Sequence, residues 1–497
     1  MEKGAAVALR IVFFSSEVTP FSKTGGLADV AGSLPAALAA LGHDVRVITP
    51  CYPSATRCGV PLRRTRHRFG ITLGNGERVT GTVRTAELNG VTHYLLGNRH
   101  YFGRSGLYGT PEGDYPDNAQ RFGFLCRGGL ELLKTIGFAP DVIHCHDWQT
   151  ALVPYLLRHP LAGDPFFART ATLYTIHNLA YQGLFPPDVL PDLGLDTRHF
   201  AIDRLEFYGR ISLMKGGIGA ADAVTTVSPT YCREILSRDH GCGLEGVLAQ
   251  RSGHLYGILN GLDYGLWNPA TDRTIAATYS ARAPAGKRRN KRALQERLGL
   301  PTVDDRPILA MVTRMASQKG LDLLEELLPW LAEAPVQLVL LGTGEARYLK
   351  RLGAWERRQI PGFSFILRFD NDLAAQIYAG SDIFLMPSQY EPCGLGQLIA
   401  LRYGSLPVVH RTGGLADTVV DPGSDQTAAN GFSFDDYTPA SFRDAIERAL
   451  EAYRTPAAWK RFMRCAMSAD HSWDSSARRY AELYQQYIDA QRSSHGT

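Results

Sequence analysis

The chain is 497 residues long, 44% hydrophobic and 21% charged, with 53 Lys+Arg against 49 Asp+Glu for a net charge of +4. That length holds two large domains or about three ordinary ones, and the near-neutral balance excludes a polybasic nucleic-acid binder. No apolar run reaches the roughly 18 residues of a membrane span, and the eight cysteines form no CxxC pair, which argues against a disulfide scaffold or structural zinc and points to a reducing cytoplasm.

In chain order, Val7–Phe14 reads as a buried first strand rather than a signal peptide, because Arg10 interrupts it and no cleavage site follows. Helical spacing follows over Leu27–Leu41, then strands at Asp44–Ile48, Val142–His144, Ala171–Ile176 and Ala223–Val227, with helices at Gln149–Leu157 and Pro229–Leu236. Between them, residues 69–98 alternate around a Gly-Asn-Gly turn and predict antiparallel strands joined to the first sheet. Strands recur at Ile308–Val312, Val336–Leu341, Ser364–Arg368, Ile383–Met386 and Pro407–Val409, separated by helices near Lys319–Leu331, Leu373–Ala379 and Leu395–Tyr403. A loop-rich tract, Asp263–Arg292, separates the halves. Its basic run (Lys287, Arg288, Arg289, Lys291, Arg292) reads as a solvated linker and helix start, since no aromatics are interleaved to stack bases. Short β-branched runs alternating with helices predict α/β architecture with two doubly wound domains, each about half the chain.

Gly25-Gly26-Leu27-Ala28-Asp29 recurs as Gly413-Gly414-Leu415-Ala416-Asp417, each copy at a strand-to-helix turn. Paired glycines there let backbone amides approach an anion, at the place where open α/β sheets bind ligands.

The densest block of candidate chemistry surrounds Glu391. The carboxylate stands at a strand mouth and can accept two sugar hydroxyls, while the amides of Cys393, Gly394 and Leu395 open the next helix. Taken alone, such a Glu is more often a favourable helix-dipole charge. Arg314 and Lys319 lie between a strand and a helix, and a guanidinium with an ammonium suits a diphosphate. One phosphate oxygen about 4 Å from such a cation gains roughly 4 kcal/mol at an effective dielectric of about 20; by themselves the two would read as surface cations. Lys23 precedes the first glycine pair, but the segment is no P-loop, because no Gly-Lys-Ser/Thr closes it. His144 and His146 share a face of an extended segment without a third ligand at metal spacing, so no metal is expected. His177 ends a strand, where a histidine is more often structural than catalytic. Gly342-Thr-Gly344 is a weak dinucleotide signal with Arg347 at the third position, and Asn260-Gly261 alone reads as a turn.

In order, Lys23-Thr-Gly-Gly, His146-Asp-Trp, Thr175-Ile-His-Asn178, Gly257-Ile-Leu-Asn-Gly261, Arg314 with Gln318-Lys-Gly320, Glu391-Pro-Cys-Gly394 and Arg411-Thr-Gly-Gly-Leu-Ala-Asp417 resemble bacterial glycogen synthases and plant starch synthases. The resemblance runs from Ile11 to about Tyr487. It implies a GT-B fold, two Rossmann-like domains facing a deep cleft: residues 1–262, residues 263–475, and a terminal helix, residues 476–497, returning to the first domain. It implies a retaining transfer of glucose from ADP-glucose to the non-reducing end of an α-1,4-glucan such as glycogen, with no cofactor, metal, nucleic acid or membrane. By the same resemblance Arg314 and Lys319 hold the diphosphate, joined by Lys23, Gly25 and Gly26. Glu391 and the amides of Cys393 and Gly394 hold glucose, His177 and Asn260 its far edge, Leu395, Thr412 and Gly413 bind substrate, Asp147 and Asp29 lie near the reacting centre and acceptor, and Phe369 stacks on adenine. Two positions depart from the family pattern: Ile399 stands where many retaining GT-B enzymes carry a second Glu, and the segment 369–372 is unusual. The alternatives are another retaining GT-B transferase with a different donor, an α-glucosidase using Glu391 and Asp147, a dehydrogenase lacking a complete phosphate fingerprint, and a non-catalytic glucan binder.

Overall fold

The structure is a computed structural model describing residues 8–110, 112–368 and 370–495. The chain forms two compact units, one of Met1–Gly261 with Trp473–Thr497 and one of Leu262–Ser472.

Unit 1 is built on nine strands: β1 (Arg10–Phe14), β2 (Asp44–Pro50), β3 (Arg63–Thr72), β4 (Arg78–Leu88), β5 (Val91–Gly97), β6 (Val142–His146), β7 (Ala171–Ile176), β8 (Ala223–Thr226) and β9 (Leu255–Gly257). They lie in the order β9-β8-β7-β6-β1-β2-β5-β4-β3. All pairs from β9 through β5 are parallel, and β5-β4-β3 form an antiparallel meander at one edge. The meander begins six residues before the alternation around Phe69. Its first residues are Arg63, Arg64, Arg66 and Arg68, charges that keep an open sheet edge from pairing with another chain. Helices α1 (Gly26–Ala40), α2 (Asn118–Thr135), α3 (Leu152–Arg158) and α4 (Leu213–Ala220) connect the strands.

The terminal helix, Trp473–His495, belongs to this unit. Its Trp473, Tyr480, Leu483, Tyr484, Tyr487 and Ile488 are buried in one core with Ile11, Phe13, Val45 and Val47. Polar contacts add to the seam: Tyr484 Oη lies 2.8 Å from His144 Nδ1, and Tyr487 Oη lies 2.7 Å from His254 Nδ1.

Unit 2 carries six parallel strands, β10 (Ile308–Val312), β11 (Gln337–Leu341), β12 (Phe363–Ile366), β13 (Ile383–Met386), β14 (Leu406–His410) and β15 (Phe432–Phe434), in the order β12-β11-β10-β13-β14-β15. Alternate residues of β10 feed opposite cores. Leu309 and Met311 pack with α6 (Leu321–Glu333), whereas Ile308 and Ala310 pack with Leu294 of α5 (Gly286–Leu298) and Ile377 of α7 (Asn371–Gly380). Strands buried on both faces need helices on both faces, which is the doubly wound arrangement.

The basic run at the start of unit 2 differs from its expected solvated state. Lys287 and Lys291 are buried on α5. Lys287 Nζ donates to the carbonyls of Tyr378, Ala379 and Tyr403, and Lys291 pairs with Asp382 at 2.8 Å. Four-residue spacing puts both on one helix face, and the helix ends above Lys287 supply the carbonyls it needs. Arg288, Arg289 and Arg292 are exposed, as expected, and Arg288 and Arg292 pair with exposed Asp304.

Candidate active site

Each sheet has a point where the strand order reverses, and ligands of open α/β sheets bind outside the strand ends there. In unit 1 the reversal falls between β1 and β6; in unit 2 it falls between β10 and β13. Most of the candidate residues follow strands at or beside these two points, whereas Asn260 follows β9 at the far edge of the unit 1 sheet.

In unit 2 the loop after β10 and the loop after β13 are tied together. Gln389 N–H donates to the Gln318 carbonyl at 2.9 Å, and Gln318 Nε2 donates to the Tyr390 carbonyl at 3.0 Å. Gly320 has φ +69°, and a Cβ there would stand 1.9 Å from the Pro387 carbonyl oxygen, so only glycine fits. Lys319, held between these neighbours, reaches Glu391 Oε2 at 2.5 Å, and Ser388 Oγ donates to the same oxygen at 3.0 Å. Both charges are nearly buried, with side-chain exposures of 14% and 9%. Arg314 is exposed, and its guanidinium pairs with no carboxylate among the described residues. The two cations expected to act together therefore start from different states, one committed and one open to an anion.

The turn after Glu391 is fixed by Gln397, whose Nε2 donates to the carbonyls of Cys393 and Gly394 at 2.8 and 3.2 Å. Leu395 caps α8 (Gly396–Arg402). The second Gly-Gly pair opens the short helix α9 (Gly413–Thr418) behind Thr412. A Cβ on Gly414 would meet the Cys393 carbonyl oxygen at 2.2 Å, so this glycine admits protein backbone.

The first copy behaves otherwise. Gly25 caps α1 with an extended backbone, and a Cβ there would meet nothing nearer than Glu17 Oε1 at 3.9 Å. Space beside it is open. Glu17 accepts from the Thr24 amide, and the Thr24 hydroxyl lies 3.1 and 3.0 Å from its two oxygens. Burial raises the Glu17 carboxyl above the ordinary range against these hydrogen bonds. Lys23 reaches back to Asp29 at 2.6 Å on the half-exposed face of α1.

Across the reversal, Asp147 follows β6 with φ +54°. Its Oδ1 accepts the backbone N–H of His177 at 2.8 Å. Burial, with a smaller push from the Glu17 charge, raises the Asp147 carboxyl to about 7. His177 directly follows β7, and burial lowers its imidazole to about 3. Asn260, at the end of the segment after β9, keeps a buried Oδ1 without a hydrogen-bond partner among the described residues. Thus unit 1 gathers Lys23, Gly25, Gly26, Asp29 at one loop and Asp147 with His177 at the next. Phe369 lies outside the described residues.

Glu17, Gln318, Ser388 and Gln397 were not singled out in the sequence. A carboxylate seven residues before a Thr-Gly-Gly turn was the available signal for Glu17; the others had only their adjacency to the Lys319 and Glu391 motifs. Among the described residues, no group of three or more His, Cys, Asp or Glu could hold a metal ion, and no helix is long and apolar enough to cross a membrane.

The chain is similar to known proteins over nearly its whole length. Residues 10–250 match the family model "Starch synthase catalytic domain", and residues 295–464 match "Glycosyl transferases group 1". The chain is 54% identical to the glycogen synthase of Geotalea daltonii over 476 residues, covering 96% of this chain and 98% of that one. It is 53% identical to glycogen synthase 2 of Geobacter sulfurreducens over 484 residues, covering 97% and 100%. Among solved structures, the catalytic domain of starch synthase IV from Arabidopsis thaliana, bound to ADP and acarbose, superposes with a TM-score of 0.91 at 36% identity, covering 97% of this chain and 100% of that one. With its two doubly wound units, its paired switch-point loops and this near-full-length likeness, the chain belongs to the glycogen synthase and starch synthase family of GT-B glucosyltransferases.

Proposed function

We propose that the chain transfers glucose from ADP-glucose to the non-reducing 4-OH of an α-1,4-glucan with retention at C1. The observation that carries this reading is the cationic loop of Arg314 and Lys319 set against Glu391 at the switch point of unit 2. A glycosidase has no use for such cations, whereas a nucleotide diphosphate leaving group needs them. The ADP in the related starch synthase IV structure supports adenine as the base.

In this reading Arg314 and Lys319 take the diphosphate. An incoming phosphate oxygen competes with Glu391 for the Lys319 ammonium, so donor entry releases the carboxylate for glucose hydroxyls. The turn of Cys393, Gly394 and Leu395, with Thr412 and Gly413, supplies further polar groups to the sugar. In unit 1, Lys23, Gly25 and Gly26 serve an anion, His177 and Asn260 serve sugar oxygens, and Asp29 and Asp147 serve the acceptor side. As the C1–O bond to ADP lengthens, C1 gains positive charge and the diphosphate gains negative charge. The acceptor oxygen bonds C1 from the same face, and its proton passes to the departing phosphate. Stabilising that leaving group is the main electrostatic task, and it needs no metal-bound step in this scheme.

Purified protein incubated with glycogen and either ADP-glucose or UDP-glucose tests this. The expected result is nucleoside diphosphate release and chain elongation with ADP-glucose, and α-configured new linkages by NMR. Preferential turnover of UDP-glucose would favour the same fold with a different donor. Reducing-sugar release without nucleotide would overturn the transferase reading.

A further inference from the structure

His146 closes β6 one residue before Asp147, and it is fully buried. Its ring is held face-on by Phe13, with centroids 5.5 Å apart and planes 14° from parallel, and the His144 ring lies 4.2 Å away. Its Nδ1 stands 3.0 Å from His177 Nε2. Its other nitrogen, Nε2, is buried without a hydrogen-bond partner among the described residues. Burial holds His144 and His146 in their neutral forms as it does His177.

Two neutral imidazoles in contact can share only one proton at that contact, so one nitrogen donates and the other accepts. Were the His146 proton on Nε2, a buried N–H would have no acceptor, which folded proteins rarely tolerate. On Nδ1 the same proton is used, and only a lone pair is left unmatched. His144 offers no competing arrangement, because its nitrogens already face Tyr484 Oη at 2.8 Å and Thr175 Oγ1 at 2.6 Å. We infer that His146 fixes the tautomer of His177: it donates to Nε2, so His177 carries its own proton on Nδ1 and presents an N–H donor to a sugar oxygen. His177 is partly exposed, and among the described residues its Nδ1 has no hydrogen-bond partner.

The consecutive residues His146 and Asp147 thus divide one task. Asp147 holds the backbone N–H of His177, and His146 holds its ring. His146 touches no substrate; it is a positioning residue, a role that metal-bound histidines give to their outer partners in the same way. The use of the Nδ1 proton rests on the proposed function, in which His177 serves a sugar oxygen.

Selective 15N-histidine labelling of the full chain tests it. Two-bond 1H–15N correlation spectra, with His177→Asn used for assignment, should show the His177 ring protonated at Nδ1 in the wild type. The apolar His146→Leu should move it toward the Nε2–H form and lower kcat on ADP-glucose about ten- to hundredfold. His146→Asn, which keeps an N–H donor near the Nδ1 position, should keep the tautomer and restore most of the rate. An Nε2–H tautomer in the wild type, or an unchanged tautomer in a folded His146→Leu chain, overturns the inference. The wild-type spectrum needs neither donor nor variant and decides the tautomer alone. A wild-type chain inactive on ADP-glucose would overturn the proposed function instead.

Discussion

Lys319 and Arg314 separate two effects that mutagenesis usually mixes. Lys319→Ala removes the partner of a nearly buried carboxylate, and Arg314→Ala removes an exposed cation. Both should lower turnover by about 10²–10³ if they stabilise the leaving group. Only Lys319→Ala should also lower the melting temperature, because an unpaired Glu391 is left behind. Steady-state kinetics beside thermal unfolding reads both numbers, and wild-type turnover in either variant would remove the diphosphate role. Asp147 gives a pH signature at the same scale. Its folded-state carboxyl is raised to about 7, so the native chain binds a proton there that the unfolded chain has already lost above the ordinary range. Stability from this group is therefore present at low pH and declines as pH rises toward 7. Asp147→Asn should be more stable than wild type at pH 8, by up to roughly 4 kcal/mol, with the advantage vanishing near pH 4. Urea unfolding at the two pH values measures it; a constant difference would contradict the raised carboxyl.

The repeated Gly-Gly-Leu-Ala-Asp segment carries two different physical demands on similar elements. Gly414→Ala pushes a methyl group into the Cys393 carbonyl and should destabilise unit 2 by about 1–3 kcal/mol. Gly25→Ala meets nothing within 3.9 Å and has a backbone any residue adopts. It should leave the melting temperature unchanged and raise KM for the donor. Equal thermal losses in both would show that the first pair is also a packing device. Strands made of short, nearly unbroken apolar runs, such as β7, β10 and β13, were legible in the sequence to their end residues. Helix α2 was not, because Gly123, Gly128 and Gly129 look like a turn. In the fold a Cβ on Gly128 would meet the Phe69 ring at 2.2 Å, and one on Gly129 the Phe14 ring at 2.2 Å. These glycines let the helix lie close on the sheet, a demand set by distant residues. The buried Lys287 and Lys291 were hidden for the same reason: the carbonyls and the carboxylate that hold them come from residues 378–403.

At the scale of the whole chain, the motif order located the candidate loops, because each follows its strand directly. The pairing of Lys319 with Glu391 and of His146 with His177 was not disclosed, since both depend on strand order in space. The two units have unequal claims to independence. Leu262 and Ser472, the ends of unit 2, are paired, with Leu262 N–H donating to the His471 carbonyl at 2.7 Å. A Leu262–Ser472 fragment should fold cooperatively by itself. A chain ending at Ser472 should lose unit 1, because six large buried side chains leave its core, each worth about 1.5–3 kcal/mol. That loss is of the order of a domain's whole stability. Circular dichroism and limited proteolysis of the two fragments check this, and a stable unit 1 without the terminal helix would refute it.

The position of that helix also sets a schedule for biosynthesis. The ribosome delivers all of Leu262–Ser472 after the nine strands of unit 1 and before the segment that covers them. At roughly 5–20 residues per second the delay is on the order of ten to forty seconds. Throughout it the apolar face around Ile11, Phe13 and Val47 lacks its cover. The half of the polypeptide translated first is therefore the half completed last, and the nascent chain is most exposed to aggregation and to chaperone capture while its second unit is already folding.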